Sequence, residues 1–252
     1  MRAILTGASS GIGYALAHEL AKRGYELALL ARRAELLEQL SRELKTRSVA
    51  IPCDVLDAPA VTAAVREAET KLGGTFDLAI ANAGISIPGH ATKFNVVESE
   101  LVFRTNVLGM IYLFDAVVPS MIAQRRGHFA GVASVAGLRG LPTGATYSAS
   151  KAAMQAFLEG SRIELAPYGV AVSIINPGFV ATPMTKKNKF PMPFLIDATE
   201  AAAIIADGLE RRQRVIEFPK AMSLLMRFVR QIPDPIYDRI MAPQARRRRE
   251  EE

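Results

Sequence analysis

Short apolar runs alternate with longer stretches of helical period along most of the chain, and this alternation constrains the fold more than any other feature. Ala3–Thr6 reads as a strand and Ile12–Arg23 as a helix. Strand readings follow at Glu26–Ala31, Ser48–Cys53, Asp77–Ala81, His128–Ala133, Val170–Ile175 and Val215–Phe218. Between them, helical period covers Ala34–Lys45, Ala58–Leu72, Ser99–Gln124, Tyr147–Ala166 and Asp197–Arg211. Strands separated by helices make βαβ units with right-handed crossovers, and these units build a parallel sheet covered on both faces. The strand runs are continuously apolar, as strands buried on both sides require. The expected fold class is therefore α/β, a doubly wound parallel sheet forming a single domain over residues 1–218. A helical, basic extension follows over 219–252. In such a sheet ligands bind beyond the carboxyl ends of the strands, near the point where strand order reverses.

Composition closes off several other classes. The chain has 252 residues, 50% apolar and 22% charged, which is the balance of a globular protein with a sizeable core. Cys53 is the only cysteine, so no intrachain disulfide can form, and His18, His90 and His128 lack ligand spacing, so no metal site is expected. A reducing, cytoplasmic setting is the expectation. Met1-Arg2-Ala3 leads straight into the first strand with no signal-peptide pattern, and no run of 18 apolar residues predicts a membrane-spanning helix. The net charge is +6, but the basic residues do not alternate with aromatics on one face, so nucleic acid is not an expected partner.

Thr6-Gly7-Ala8-Ser9-Ser10-Gly11-Ile12-Gly13 joins the first strand to the first helix. Gly7, Gly11 and Gly13 let the backbone turn tightly and approach a pyrophosphate. The free N–H groups at the start of the helix then face the phosphates. Ser9, Ser10 and Ile12 belong to the same turn. The spacing is G-x-x-x-G-x-G rather than the general dinucleotide fingerprint, so the strand-turn-helix context carries the reading.

Arg32 and Arg33 follow the second strand, where a carboxylate would bind the ribose 2′-hydroxyl and select NAD. A guanidinium suits a 2′-phosphate instead, so the expected cofactor is NADP, with NAD the less favoured one.

The most specific constellation is Ser134 followed by Tyr147-Ser148-Ala149-Ser150-Lys151. Tyr147 and Lys151 stand one turn apart on a predicted helix and share a face. A cation there favours the phenolate and equips Tyr147 to exchange a proton with a carbonyl or alcohol oxygen. Ser134, at a strand end, can donate a hydrogen bond to that oxygen.

With these residues the sequence resembles a short-chain dehydrogenase/reductase of the NADP-using kind, a Rossmann-type three-layer sandwich. The resemblance runs from residue 1 to about 218. It rests on TGASSGIG at Thr6 to Gly13, Ala31-Arg32-Arg33, Cys53-Asp54-Val55, Asn82-Ala83-Gly84, Asn106, Ser134, Tyr147 with Lys151, and Asn176-Pro177-Gly178 followed by Thr182. It implies that Tyr147 is the acid-base, that Ser134 positions the substrate oxygen, and that Lys151 lowers the tyrosine pKa and binds the nicotinamide ribose. Asn106 would hold a water in a proton relay. Asp54 would meet the adenine amino group, Val55 would lie beside it, and Asn82, Ala83 and Gly84 would border the adenine ribose. Pro177, Gly178, Val180 and Thr182 would hold the carboxamide. Ala81 departs from the family, which often has a further Asn there. The implied activity is reversible carbonyl/alcohol interconversion on a small-molecule substrate of apolar or lipid-like character. The alternatives are an NADP-binding sensor or scaffold without turnover, and an NAD-dependent alcohol dehydrogenase. Subunits of the family pair through the helices holding Asn106 and Tyr147, which implies a homodimer or homotetramer.

Two segments outside these motifs bear on the substrate. Met184 to Leu195 begins with lysines and ends with Phe190, Met192 and Phe194, and its place suggests a lid. The last 34 residues carry eight basic and five acidic residues, half of the net charge. Ala221–Arg230 has an apolar face edged with arginines, Ile236–Met241 makes a further turn, and the end from Ala245 reads as disordered. This extension can pack on the core or a second subunit, lie on the anionic inner face of a membrane through residues 219–249, or cover an apolar substrate.

Overall fold

The computed structural model describes residues 1–188 and 190–250, with the side chains of residues 187 and 244–250 outside that description. The strands are β1 (Arg2–Thr6), β2 (Glu26–Ala31), β3 (Ser48–Pro52), β4 (Leu78–Ala81), β5 (Gly127–Val132), β6 (Val170–Pro177) and β7 (Val215–Phe218). All seven lie parallel in one sheet, ordered β3-β2-β1-β4-β5-β6-β7. The chain builds outward from β1 to β3 and then returns to place β4 on the other side of β1. That reversal opens a crevice at the carboxyl ends of β1 and β4.

Period-two alternation assigns each strand residue to a layer. Ala3 and Leu5 of β1, with Leu27 and Leu29 of β2, pack against α1 (Gly11–Lys22), α2 (Ala34–Glu43) and α7 (Ala198–Glu210) through Leu16, Leu20, Leu37, Leu40 and Ile205. Ile4, Ala28 and Leu30 point the other way. They meet Val61 and Val65 of α3 (Ala58–Leu72), Leu113 and Val117 of α5 (Gly109–Ala123), and Leu158 of α6 (Ala145–Leu165). Each large aliphatic side chain so buried contributes about 1.5–3 kcal/mol.

Local chemistry sets the helix ends. The Asp57 carboxylate accepts from the Ala60 N–H at 3.0 Å and starts α3, and Gly73 at φ +75° ends it. Asp197 starts α7 by accepting from the Glu200 N–H at 2.7 Å.

The helix expected over Ser99–Gln124 differs in two ways. It begins at Val96, because the Asn95 side chain accepts from the N–H groups of Val97 and Glu98. It is also interrupted: α4 (Val96–Phe103) and α5 are joined by a π-helical turn over Arg104–Leu108. The whole stretch Val96–Ala123 is long and apolar enough to cross a membrane by length and composition, although polar residues interrupt its apolar run. Its α5 portion buries Met110, Leu113, Val117, Val118 and Met121, and it forms a layer of the sandwich.

Beyond β7, α8 (Lys220–Gln231) and α9 (Asp234–Glu250) form the extension. Met222 and Met226 of α8 pack on Val135, Leu138, Leu141 and Phe179. Arg139 fastens the same region: it donates to the carbonyls of Arg230 and Ile232, pairs with Asp234 at 2.6 Å, and lies 4.3 Å over the Tyr237 ring. The expectation of a disordered end from Ala245 falls on residues whose side chains, and for Glu251 and Glu252 the backbone too, lie outside the description. The α9 backbone is helical to Glu250.

Candidate active site

The crevice at the switch point is a cleft of about 420 Å³, within the usual range for small-molecule sites. Its first end is the glycine turn. Gly7 and Gly11 have φ of +66° and +59°, a region costly for residues with a Cβ. A Cβ on Gly13 would lie 2.3 Å from the Gly7 carbonyl oxygen, so only glycine lets α1 start this close to the turn. Ser10 precedes α1 without a side-chain hydrogen bond to it, and the first turn has no acidic residue. The N–H groups there remain available to an anion. The tight turn and the uncapped helix fit the diphosphate of a dinucleotide.

Asn82 braces the turn from β4. Its Nδ2 donates to the carbonyls of Thr6 and Gly7 at 3.0 and 3.2 Å. Thr6 Oγ1 accepts in return from the N–H groups of Asn82 and Ala83. The Arg33 guanidinium sits at the end of β2 and donates to Ser9 Oγ at 2.9 Å and Ser10 Oγ at 3.1 Å. Arg32 lines the cleft beside it. Asp54 and Val55 line the cleft after β3, and Asp54 Oδ1 accepts from the Leu56 N–H at 3.1 Å.

Ser134, Tyr147 and Lys151 line the opposite end. Ser134 follows β5 and caps a short 3₁₀ turn: its Oγ accepts from the Ala136 N–H and donates to the Pro177 carbonyl at 3.3 Å. Lys151 is buried on α6, its Nζ 5.7 Å from the centre of the Tyr147 ring and 2.7 Å from the Val132 carbonyl. Burial pushes the Lys151 ammonium down to about 7. Burial also raises the Tyr147 phenol above its ordinary value, and hydrogen bonding with Ser134 works against that rise. Both groups are thus held toward their neutral forms. A lysine-driven fall in the tyrosine pKa is expected from the sequence; at Tyr147 the larger influence is burial, and it acts the other way.

Pro177, Gly178, Val180 and Thr182 form the wall after β6, and Gly84 lies with Asn82 and Ala83 after β4. Two expected site residues stand behind the surface. Gly13 serves by close packing. Asn106 is fully buried in the π-helical turn; its Oδ1 accepts from the Ile85 N–H at 2.8 Å, and its Nδ2 donates to the Ile85 carbonyl and to Ser150 Oγ. Ser150 in turn donates to the Tyr147 carbonyl at 2.7 Å. Asn106 therefore ties the loop after β4 to the helix that carries Tyr147.

The cleft also contains residues the sequence did not announce, Leu56, Ile85, Leu101 and Thr105, and of the segment read as a lid it contains Met184 and Thr185. Thr185 had the clearest signal, three residues after Thr182, and its Oγ1 donates to the Val180 carbonyl at 2.6 Å. Phe190, Met192 and Phe194 are not cleft residues; Phe190 meets Phe179 edge-on at 5.9 Å, and Phe194 is exposed. Lys189 of that segment lies outside the described residues.

Comparison with known proteins converges on the same family. The short chain dehydrogenase family model matches residues 1–191. An uncharacterized oxidoreductase of Myxococcus xanthus is 37% identical over 239 residues, covering 94% of both chains. A short chain dehydrogenase/reductase of Burkholderia phymatum, solved in complex with NAD, superposes with a TM-score of 0.83 at 25% identity, covering 90% of this chain and 91% of that one. A 3-oxoacyl-[acyl-carrier protein] reductase from Brucella melitensis gives 0.78 at 28% identity, covering 86% and 89%. With its parallel seven-stranded sheet and glycine-turn cleft, the chain belongs to the short-chain dehydrogenase/reductase family and is an NAD(P)-dependent oxidoreductase acting on CH–OH and C=O groups.

Proposed function

We propose that the protein is an NADP-dependent carbonyl reductase for an apolar substrate, with Tyr147 as its acid-base. The observation that carries this reading is the polarity of the cleft. Arg33, Ser9 and Ser10 gather at one end, and Ser134, Tyr147 and Lys151 meet at the other.

Arg33 and the two serine hydroxyls together offer a cation and two donors to a 2′-phosphate, and Arg32 adds a second cation. Bound along the cleft, the nicotinamide cofactor supplies or accepts a hydride. The remaining chemistry belongs to the chain. Ser134 Oγ donates to the substrate oxygen and steadies the charge that develops on it. Tyr147 is neutral at pH 7, so its hydroxyl is ready to give that oxygen a proton. Lys151, held near 7 by burial, can return the proton to the phenolate that remains. Asn106 and Ser150 fix the start of α6 so that the phenol is correctly aimed. Ile85, Leu101 and Met184 give the substrate end an apolar lining. The same reading pairs subunits through the α4–α6 side, where Phe103, Leu108 and Ile163 are exposed.

The test is a comparison of NADPH and NADH as reductants across a panel of carbonyl compounds of graded hydrophobicity. At least about tenfold higher kcat/KM with NADPH, rising with substrate hydrophobicity, supports the reading. Preference for NADH removes the cofactor assignment.

A further inference from the structure

We propose that the outer face of α8 docks the protein on an anionic lipid surface. One side of α8 is used inside the fold, where Met222, Ser223 and Met226 are buried. A second apolar stripe faces out. Leu224 and Phe228 stand one turn apart, each 68% exposed, and Leu225 beside them is exposed as well. On α9, Ile236 and Ile240 form another exposed pair one turn apart.

Charge identifies what covers this stripe. The α8 sequence KAMSLLMRFVRQ has three cations and no acidic residue. At 100° per residue, Lys220 and Arg227 fall on the flank of the helix next to Leu224, whereas Arg230, near its end, falls on the side of Met226 and Ser223. Arg227 is engaged by Glu217 at 2.9 Å. Lys220, Arg230 and, on α9, Arg239 are exposed and have no ion pair among the described residues. Further along the sequence, Arg246–Arg249 are followed by Glu250–Glu252, a net of one positive charge. A second copy meeting this stripe two-fold would set the basic rows against each other. A bilayer surface satisfies both features at once: headgroup phosphates take the cations, and the acyl boundary takes Leu224, Leu225 and Phe228.

The helix is also ready to dock without reordering. Its inner face is packed on the 3₁₀ turn after Ser134, and Arg139 holds its last carbonyls. The stripe is therefore presented on a fixed support, and ordering it costs little on binding.

The experiment is co-sedimentation of the full-length protein with vesicles of phosphatidylcholine alone, or with about a third of phosphatidylglycerol. The expected result is pelleting with the anionic vesicles, little with the neutral ones, and release at high salt. Leu224→Glu/Phe228→Glu should remain in the supernatant, while circular dichroism and NADPH binding confirm its fold. Both side chains are exposed, so folding should not depend on them. Lys220→Gln, which removes the unpaired cation beside the stripe, should weaken partitioning roughly fivefold. Wild-type protein that stays in solution with anionic vesicles overturns the proposal. So does a Leu224→Glu/Phe228→Glu variant that still pellets. If sedimentation velocity shows instead that this variant loses an oligomeric state of the wild type, without vesicle binding by either, a second copy covers the stripe and the lipid assignment fails.

Discussion

Lys151 Nζ lies 5.7 Å from the centre of the Tyr147 ring and donates to the Val132 carbonyl from a buried position on α6. The lysine thus sits near the phenol in surroundings that disfavour its own charge. Its folded-state value of about 7 is below the unfolded 10.5. Between these values the unfolded chain binds more protons than the folded one, so this group makes stability rise with pH. Below pH 7 both states are protonated, and the burial penalty is felt in full. The Cys53 thiol, raised from 9.0 to about 11 by burial, acts in the opposite direction only above pH 9. The thermal midpoint of the cofactor-free protein should therefore climb between pH 7 and 9. Lys151→Met should flatten that climb, and equal slopes in the two proteins would refute it.

Arg33 predicts a selective loss. It donates to both Ser9 and Ser10, at the end of the cleft far from Tyr147. Arg33→Ala should raise the Kd for NADPH about ten- to a hundredfold, the range of one or two charge-assisted hydrogen bonds, and leave NADH nearly unaffected. Titration of the two reduced cofactors by fluorescence reads the difference. Arg32→Ala should act in the same direction. Parallel losses for both cofactors would show that the arginines serve the turn rather than a 2′-phosphate.

A third expectation concerns the extension. Arg139 joins the segment after Ser134 to two carbonyls, Asp234 and the Tyr237 ring, and the Tyr237 hydroxyl donates to the Gly140 carbonyl at 2.5 Å. Arg139→Ala removes all of these arginine contacts and leaves two carbonyls without their donor. A stability loss of about 1–3 kcal/mol is expected in chemical denaturation. Hydrogen exchange should show faster exchange in Lys220–Gln231. Unchanged protection there would mean that Met222 and Met226 alone hold α8.

His128 gives the acid side of the stability profile. The Ser173 hydroxyl proton is committed to the Gln213 carbonyl at 2.5 Å, so His128 Nε2 is the donor to Ser173 Oγ at 2.7 Å. Burial lowers the imidazole to about 4, and Arg212 adds to that shift. The unfolded chain then binds the extra proton between pH 6.5 and 4, and stability falls as pH drops through this interval. His128→Phe should reduce the fall measured by denaturant midpoints. A variant with the wild-type acid profile would assign the fall to other groups.

These features were unequally legible in the sequence. The limits of α3, β2 and β7 could be read directly from the apolar period, and Asp57 and Gly73 agree with it at the two ends of α3. The start of α4 could also have been found, since Asn95 followed three residues later by Glu98 is a capping pattern. The π-helical turn could not: Thr105, Asn106 and Val107 are weak helix formers but do not specify a π turn, and Asn106 is held there by Ile85 and Ser150, which are distant in sequence. β6 runs on to Pro177, a residue that ends strand readings; it lies at the strand end beside Phe218, where the missing N–H costs little. The glycine turn and the Tyr147-to-Lys151 spacing were legible because the chemistry is encoded within a few residues. Leu101, Thr105 and Ile85 reach the cleft only through tertiary packing, so their part in shaping the substrate end had no local signature.

The central claim is that the Tyr147 hydroxyl carries the proton, and Tyr147→Phe tests it most directly because the ring and its packing are preserved. NADPH oxidation by wild type and variant should be followed with the best carbonyl substrate of the panel, alongside NADPH binding. Loss of turnover by a factor of at least about a hundred, with NADPH bound as tightly as before, is the expected result. A Tyr147→Phe protein that turns over at the wild-type rate would contradict the mechanism.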